Sequence, residues 1–142
     1  MPLIISDSNN YTRSFNKSTF KKIIEKSLKK LKLSSKTIYI TFISDYQMTK
    51  INHEFAKIKK STDVLSFNYE NDINNIIGEI FISVNYCKKN IKKNNNSLIK
   101  EISIVAIHGI LHLIDYDHDN KINEKIMFDL QENLYKFARL KQ

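Results

Sequence analysis

The sequence predicts one α/β (α+β) domain spanning residues 1–142, in which a small mixed sheet of about four strands packs with about five helices. The length of 142 residues and the apolar content of 42% suit a single domain with a proper core. Apolar residues alternate in some segments and recur at helical spacing in others, so both strands and helices are expected. The segment from Leu98 to about Ile114 is apolar nearly all round, which indicates a buried central helix.

The first half of the chain is predicted to alternate strands with amphipathic helices. Leu3 to Ser6 is a short apolar strand. A helix follows over residues 18–32, with Ser18 as a candidate cap. Its apolar face consists of Phe20, Ile23, Ile24, Leu28 and Leu31. Thr37 to Phe42 has the period of a half-buried strand. Ser44 or Asp45 then caps a helix whose inward residues are Met48, Ile51 and Phe55.

The second half is predicted to place two strands before three helices. Its elements are, in order, a basic loop at 57–62, a strand at 64–67, a polar turn at 68–75, a strand at 76–83, a helix at 84–93, the central helix and a final helix. The inward residues of the 84–93 helix are Val84, Cys87 and Ile91, and three asparagines at 94–96 end it. The apolar stripe of the final helix is Ile122, Ile126, Leu130, Leu134 and Phe137.

The remaining bulk features point to a soluble, cytoplasmic protein with no membrane partner. The N-terminus has no basic lead and too short an apolar run for a signal peptide. The longest apolar stretch, residues 102–114, is shorter than the roughly 18–20 residues that span a bilayer. The single cysteine, Cys87, excludes an intrachain disulfide and a metal site made from paired thiolates.

The net charge of +8 suggests a polyanionic partner such as nucleic acid. However, 21 of the 23 basic residues are lysine, a skew that is also typical of codon bias in AT-rich genomes. Charge alone leaves both interpretations open.

Three of the four histidines fall within eleven residues, at His108, His112 and His118. On a helix, His108 and His112 project from the same face because they are four residues apart. His118 follows a predicted bend and can return to the same point. Three neutral imidazoles that leave a fourth position open are typical of a catalytic zinc site, so we expect one Zn²⁺ per chain. The plain alternative is that His108 and His112 are hydrogen-bonded core residues and His118 lies at the surface.

The spacing of these histidines is that of the metzincin proteases, and it gives the central helix a zincin-like character. Those proteases carry a glutamate after the first histidine and a glycine at the turn. Here these positions hold Gly109 and Asp115. The missing glutamate argues against a peptidase, whereas aspartate is tolerated at a left-handed turn.

Three sequence blocks together resemble the signature of the YbeY family of bacterial metal-dependent endoribonucleases. The blocks are His108-Gly109-x-Leu111-His112-Leu113-x-x-Tyr116-Asp117-His118, Asn52-x-x-Phe55 with Thr62-Asp63-Val64-Leu65-Ser66-Phe67, and Gly78-Glu79-Ile80-x-Ile82-Ser83. They stand in the order expected for the family and cover roughly residues 50–120.

The resemblance implies a zinc-dependent endoribonuclease that prefers single-stranded RNA. It implies a role in maturing the 3′ end of small-subunit ribosomal RNA and in ribosome quality control. The partners implied are ribosomal RNA, the small ribosomal subunit and an Era-type GTPase.

Further residues near the histidines are candidates for supporting roles. Asp117 is the nearest candidate to orient a ligand histidine, and Asp119 is a weaker one. Asp63 and Glu79 could also support the ligands, although Asp63 could instead cap a turn and Glu79 could be a solvated strand residue. The candidate RNA phosphate contacts are Lys57, Lys59 and Lys60.

Three positions depart from the family pattern. Asp115 replaces a glycine and Glu79 replaces an aspartate. Ala56 stands where the family usually has an arginine in the active-site groove, and a nearby lysine lacks the bidentate geometry of a guanidinium. Ala56 therefore gives weight to an alternative, a ribosome-assembly factor with a mainly structural zinc and weak or no nuclease activity. A zinc metallopeptidase is a more distant third hypothesis.

Overall fold

Four strands form one mixed sheet in the part of the chain that the structure describes. The structure, a computed structural model, describes residues 3–56, 62–69, 75–116 and 120–140. The strands are β1 (Leu3–Ser6), β2 (Thr37–Ile43), β3 (Val64–Asn68) and β4 (Ile76–Ser83), in the order β1-β2-β4-β3. The first two pairs are parallel, whereas β3 runs antiparallel to β4 at the edge. The predicted mixed sheet is confirmed.

Five α-helices accompany the sheet within the described residues, as predicted. They are α1 (Lys17–Lys30), α2 (Asp45–Ala56), α3 (Val84–Asn94), α4 (Leu98–Leu113) and α5 (Lys121–Leu140). The cap of α1 is Asn16 rather than Ser18, because the Thr19 N–H donates to Asn16 Oδ1 at 3.0 Å. The cap of α2 is Ser44, which exchanges two hydrogen bonds with Gln47 in a capping box.

Helix α4 is the centre of the core, as its apolar sequence predicts. Nearly every residue of α4 from Glu101 to Leu113 is buried, and His108 and His112 are the two half-buried ones. It packs between β3 and β4 on one side and α1, α3 and α5 on the other. This position places its two histidines beside the edge strand β3.

Two predicted inward faces are wrong in part. Phe55 is 68% exposed, and its ring meets Phe67 of β3 edge-on at 5.3 Å between centroids. Ile122 and Ile126 are 74% and 50% exposed. Leu134 is buried as predicted, and the rest of the buried face of α5 is formed by Met127, Gln131 and Ala138. The apolar pattern was misleading because a glutamine occupies one of these core-facing positions.

Cys87 is fully buried on the inner face of α3, as predicted. Burial raises the pKa of its thiol, and the negative charges of Asp63, Glu101 and Asp45 act in the same direction. The thiol is therefore held in its neutral form inside the core.

In the described ranges of the chain, none of the helices combines the length and the apolar character needed to cross a bilayer.

Candidate metal centre

His108 and His112 face each other from consecutive turns of α4. Their Nε2 atoms are 3.1 Å apart, and the two rings meet at 78° with centroids 4.7 Å apart. The helix dictates this pairing, because residues four apart lie one above the other on the same face.

The spacing of these two nitrogens suits a shared metal ion. Two imidazole nitrogens that bind one tetrahedral Zn²⁺ at 2.0–2.1 Å are about 3.3 Å apart, close to the spacing found here. His108 and His112 could therefore supply two ligands. The third predicted ligand, His118, lies outside the described residues.

Gln131 of α5 fixes the orientation of one of these rings. Its Oε1 lies 3.0 Å from His108 Nδ1 and can only accept, so the Nδ1–H donates. The Nε2 lone pair of His108 is then directed toward His112. Such a partner for the second ring nitrogen is typical of metal-ligating histidines. Gln131 was not predicted from the sequence, because its burial and its contact with His108 become visible only in the structure.

A cavity of about 700 Å³, the β3 cavity, opens beside the histidine pair. Residues 62–66 of the β3 segment form one wall, and the face of α4 that carries His108 forms another. The cavity contains two carboxylates, Asp63 and Glu101. The structure thus brings Asp63 together with the histidines, as the sequence analysis expected for a supporting residue.

The two carboxylates of the β3 cavity differ in their surroundings. Burial raises the pKa of Asp63, and the nearby His108 only partly offsets that effect. Glu101 is 4% exposed and accepts hydrogen bonds from the side-chain amides of Asn94 and Asn96, each at 3.0 Å. Sequence reasoning missed Glu101, although it is a charged residue at the start of an otherwise apolar helix.

The edge strand β3 is fastened to α4 by two side-chain hydrogen bonds. Ser66 Oγ donates to the Gly109 carbonyl at 3.1 Å, and Asn68 Nδ2 donates to the Leu113 carbonyl at 2.7 Å. A Cβ at position 109 would lie 2.9 Å from Ser66 Oγ and 3.0 Å from a methyl of Ile80. Position 109 therefore faces the sheet, and a glutamate side chain there would not fit. The absence of the metzincin glutamate has this steric basis.

Glu79 lies on the other face of the sheet from the histidines. Its β4 neighbour Ile80 points toward Gly109, and side chains alternate along a strand. Glu79 instead accepts a hydrogen bond from Thr41 Oγ1 at 3.3 Å. The expectation that Glu79 supports the ligands is corrected, because strand alternation directs it away from them.

The turn after α4 has the geometry expected for the position of Asp115. Asp115 has a φ of 73°, in the left-handed region. The Tyr116 N–H donates to the Leu111 carbonyl at 3.0 Å and the Asp115 N–H to the His112 carbonyl at 3.2 Å. This pair of bonds is a Schellman motif, and it ends α4 at Leu113, one residue after His112.

The remaining predicted site residues belong to segments that the structure does not describe. Asp117, Asp119, Lys57, Lys59 and Lys60 lie outside the described residues, and the side chain of Ala56 is likewise not described. Their roles stay predictions.

Comparison with known proteins identifies the family of this chain. A family model described as endoribonuclease YbeY matches residues 4–139. This chain belongs to the YbeY family. The YbeY endoribonuclease of Acholeplasma laidlawii is 36% identical over 135 residues, covering 94% of this chain and 98% of the relative. That of Sulfurihydrogenibium sp. is 35% identical over 136 residues, covering 93% and 90%.

A solved structure supports the same assignment at the level of the fold. The solution structure of TM1509 from Thermotoga maritima superposes with a TM-score of 0.69 at 28% identity. The match covers 96% of this chain and 88% of that protein. The resemblance to YbeY that the three sequence blocks indicate is thereby confirmed over nearly the whole chain.

Proposed function

We propose that this chain is a zinc-dependent endoribonuclease specific for single-stranded RNA. The observation that carries the proposal is the facing pair of His108 and His112 nitrogens, oriented by Gln131, in a chain of the YbeY family. Its cellular role would be maturation of the 3′ end of small-subunit ribosomal RNA and ribosome quality control. This work would take place in the cytoplasm, with the small ribosomal subunit and an Era-type GTPase as partners.

The residues of the site support hydrolysis of a phosphodiester bond. Zn²⁺ held by His108, His112 and His118 would lower the pKa of a bound water to about 7 and polarise a phosphodiester oxygen. Gln131 keeps the His108 ring in the tautomer that a ligand requires. Asp63 shares the cavity, so its carboxylate could orient a ligand or accept a proton near the histidines.

Two nucleophiles are compatible with this site, a water molecule and the 2′-hydroxyl of the substrate. Attack by the 2′-hydroxyl leaves a cyclic phosphate or its hydrolysis product on the 3′ end, whereas attack by water can leave a 3′-hydroxyl. Analysis of the product ends would separate the two routes.

Substitution of one site histidine, with an exposed histidine as the control, tests the proposal. We expect purified wild-type protein to bind one zinc per chain and to cleave single-stranded RNA, and chelator or His112→Ala to abolish cleavage. The matched control is His53→Ala, since His53 is exposed on α2 and lies outside the site. A wild-type protein with a full zinc complement that leaves single-stranded RNA intact would refute the nuclease proposal.

The second candidate is a ribosome-assembly factor with a mainly structural zinc. Ala56, in place of the arginine common in the family, favours it. This candidate predicts co-sedimentation with small subunits, no RNA turnover and a large drop in Tm on zinc removal. If Ala56→Arg cleaves RNA faster than wild type, the alanine weakens the nuclease. If wild type cleaves RNA as fast as Ala56→Arg, the assembly-only role is disfavoured.

A further inference from the structure

We propose that a second depression, along α5, is the subsite for an unpaired nucleotide that flanks the scissile bond. In this α5 subsite, Phe128 would stack on the base, and Lys121 and Lys125 would contact the RNA backbone. The inference rests on the proposed nuclease function and assigns residues that lie outside the three sequence blocks shared with the family.

The α5 subsite is continuous with the candidate metal centre. It is a depression of about 720 Å³ whose lining includes Phe128, Lys121 and Lys125 together with His108 and Gln131. The last two also line the β3 cavity. The two depressions therefore meet at His108 and Gln131, so an RNA strand bound at the metal centre could continue along α5.

The sequence of α5 aligns the residues of this path. Lys121, Lys125 and Phe128 are spaced i, i+4 and i+7, which puts them on one stripe of the helix. Gln131 continues the same stripe three residues later and contacts His108. At 1.5 Å per residue, Lys121 lies about 15 Å along the axis from Gln131, enough for a short run of backbone beyond the metal.

Phe128 has the exposure that a stacking platform needs. It is 55% exposed, whereas its neighbour Met127 is 1% exposed and anchors the helix in the core. An unpaired base presents an apolar face of similar size to a phenyl ring, and aromatic side chains beside basic residues are a common way to bind single strands. Phe128 can therefore contact a base without any rearrangement of the core.

Charge distinguishes the two depressions. The described lining of the β3 cavity includes Asp63 and Glu101 but no lysine. That of the α5 subsite has Lys121 and Lys125 against the single carboxylate of Glu124. A phosphodiester backbone is thus favoured along α5 rather than in the β3 cavity.

The lysines of the α5 subsite are available for exchange with phosphate. Lys125 Nζ lies 3.1 Å from Asp129 Oδ2, and both side chains are more than half exposed. Exposed pairs of this kind are weak, so a phosphate oxygen can take the place of the carboxylate.

Binding of a single-stranded DNA oligonucleotide, which lacks the 2′-hydroxyl, tests the stacking role of Phe128 without relying on cleavage. With zinc-loaded protein, we expect Phe128→Ala to weaken binding roughly 5- to 150-fold, the range for loss of one stacked base. Phe128→Tyr should bind within about twofold of wild type, because the ring is retained. The control is Ile126→Ala, which removes a similarly exposed apolar side chain of α5 outside the subsite.

The same variants separate this inference from the nuclease proposal. Initial rates on single-stranded RNA should show a raised KM for Phe128→Ala, and a duplex of the same sequence should be bound equally by wild type and variant. If wild-type protein does not cleave RNA but Phe128→Ala still weakens binding, the nuclease proposal fails and the α5 subsite stands as a site that binds single strands. Unchanged binding in Phe128→Ala, or equal weakening in Ile126→Ala, would overturn the α5 subsite. The exposed Phe128 ring would then be assigned to a contact with a protein.

Salt dependence tests the lysines. Each phosphate contact on a single strand contributes about 0.7 to the slope of log affinity against log salt concentration. Lys121→Ala/Lys125→Ala should therefore lower the slope by about 1.4. The matched control, Lys22→Ala/Lys136→Ala, removes the same charge from exposed positions elsewhere and should leave the slope nearly unchanged. An equal fall in both double variants would mean that net charge alone drives binding, which contradicts the lysine assignment.

Discussion

At the scale of single residues, the contact between Gln131 and His108 joins the last helix to the candidate metal centre. The glutamine is 8% exposed, so its amide has little access to water and the hydrogen bond to the imidazole satisfies it. The same bond determines which nitrogen of His108 is available to a metal. One buried polar residue thus serves both the packing of α5 and the chemistry of α4.

Gln131→Leu should weaken zinc binding about 10- to 100-fold, because the ligand ring loses the acceptor that orients it. Gln131→Glu retains acceptor oxygens and should keep the affinity closer to wild type. Zinc titration against a competing chelator measures the difference. A leucine variant with a lower Tm but unchanged zinc affinity would assign Gln131 a packing role only.

Asp7 is the second residue whose surroundings lead to a measurable effect. Partial burial alone would raise the pKa of Asp7, but hydrogen bonds from the Thr12 side chain and from the backbone N–H groups of Thr12 and Tyr11 lower it below its ordinary value of 3.8. These bonds cap the short 3-10 turn over Tyr11–Ser14.

Asp7→Ala should lower the free energy of unfolding at pH 7 by about 1–2 kcal/mol, the usual cost of losing such a cap. A depressed pKa in the folded state gives stability that is present above pH 3.8 and is lost as the pH falls through the folded pKa. The difference between variant and wild type should therefore shrink in acid. Urea titrations at several pH values test this, with Glu54→Ala on the exposed face of α2 as the control.

At the scale of elements, the end of α4 determines where the chain turns after the second histidine. The left-handed Asp115 allows Tyr116 to bond back to Leu111, so the helix stops at Leu113. An L-residue in this conformation carries a conformational cost that glycine does not.

Asp115→Gly should raise the free energy of unfolding by about 0.5–1 kcal/mol, because glycine adopts the left-handed conformation without the Cβ penalty. Asp115→Val should destabilise by more than that, since β-branched residues are strained there. Thermal melts of the zinc-free protein measure both changes. Equal Tm values for the glycine and valine variants would show that the turn does not keep its φ in solution.

At the scale of the whole molecule, the sheet, the central helix and the histidine pair were predictable because they depend on local patterns. The apolar run of α4 and the four-residue spacing of His108 and His112 are visible in one segment of sequence. The family blocks added the order of the elements around them.

The features that sequence missed depend on contacts between distant segments. Gln131 contacts His108 across 23 residues, and Glu101 and Asp63 line the same β3 cavity from different elements. Alternation along β4 showed that Glu79 and Ile80 point to opposite sides but did not show which side carries the histidines. Phe55 was misplaced for a similar reason, because its partner Phe67 lies on a strand whose orientation the apolar pattern does not specify.

The buried thiol of Cys87 can report how often the core around α3 opens. Because the thiol is buried on α3 and its pKa is raised, a thiol-reactive dye can reach it only when the surrounding core separates. Labelling of the native protein should be about a thousandfold or more slower than in concentrated urea, as expected for a rarely populated open state. Fast labelling under native conditions would instead show that α3 detaches locally. With a single cysteine in the chain, no engineered probe is needed to follow how zinc or RNA shifts this opening.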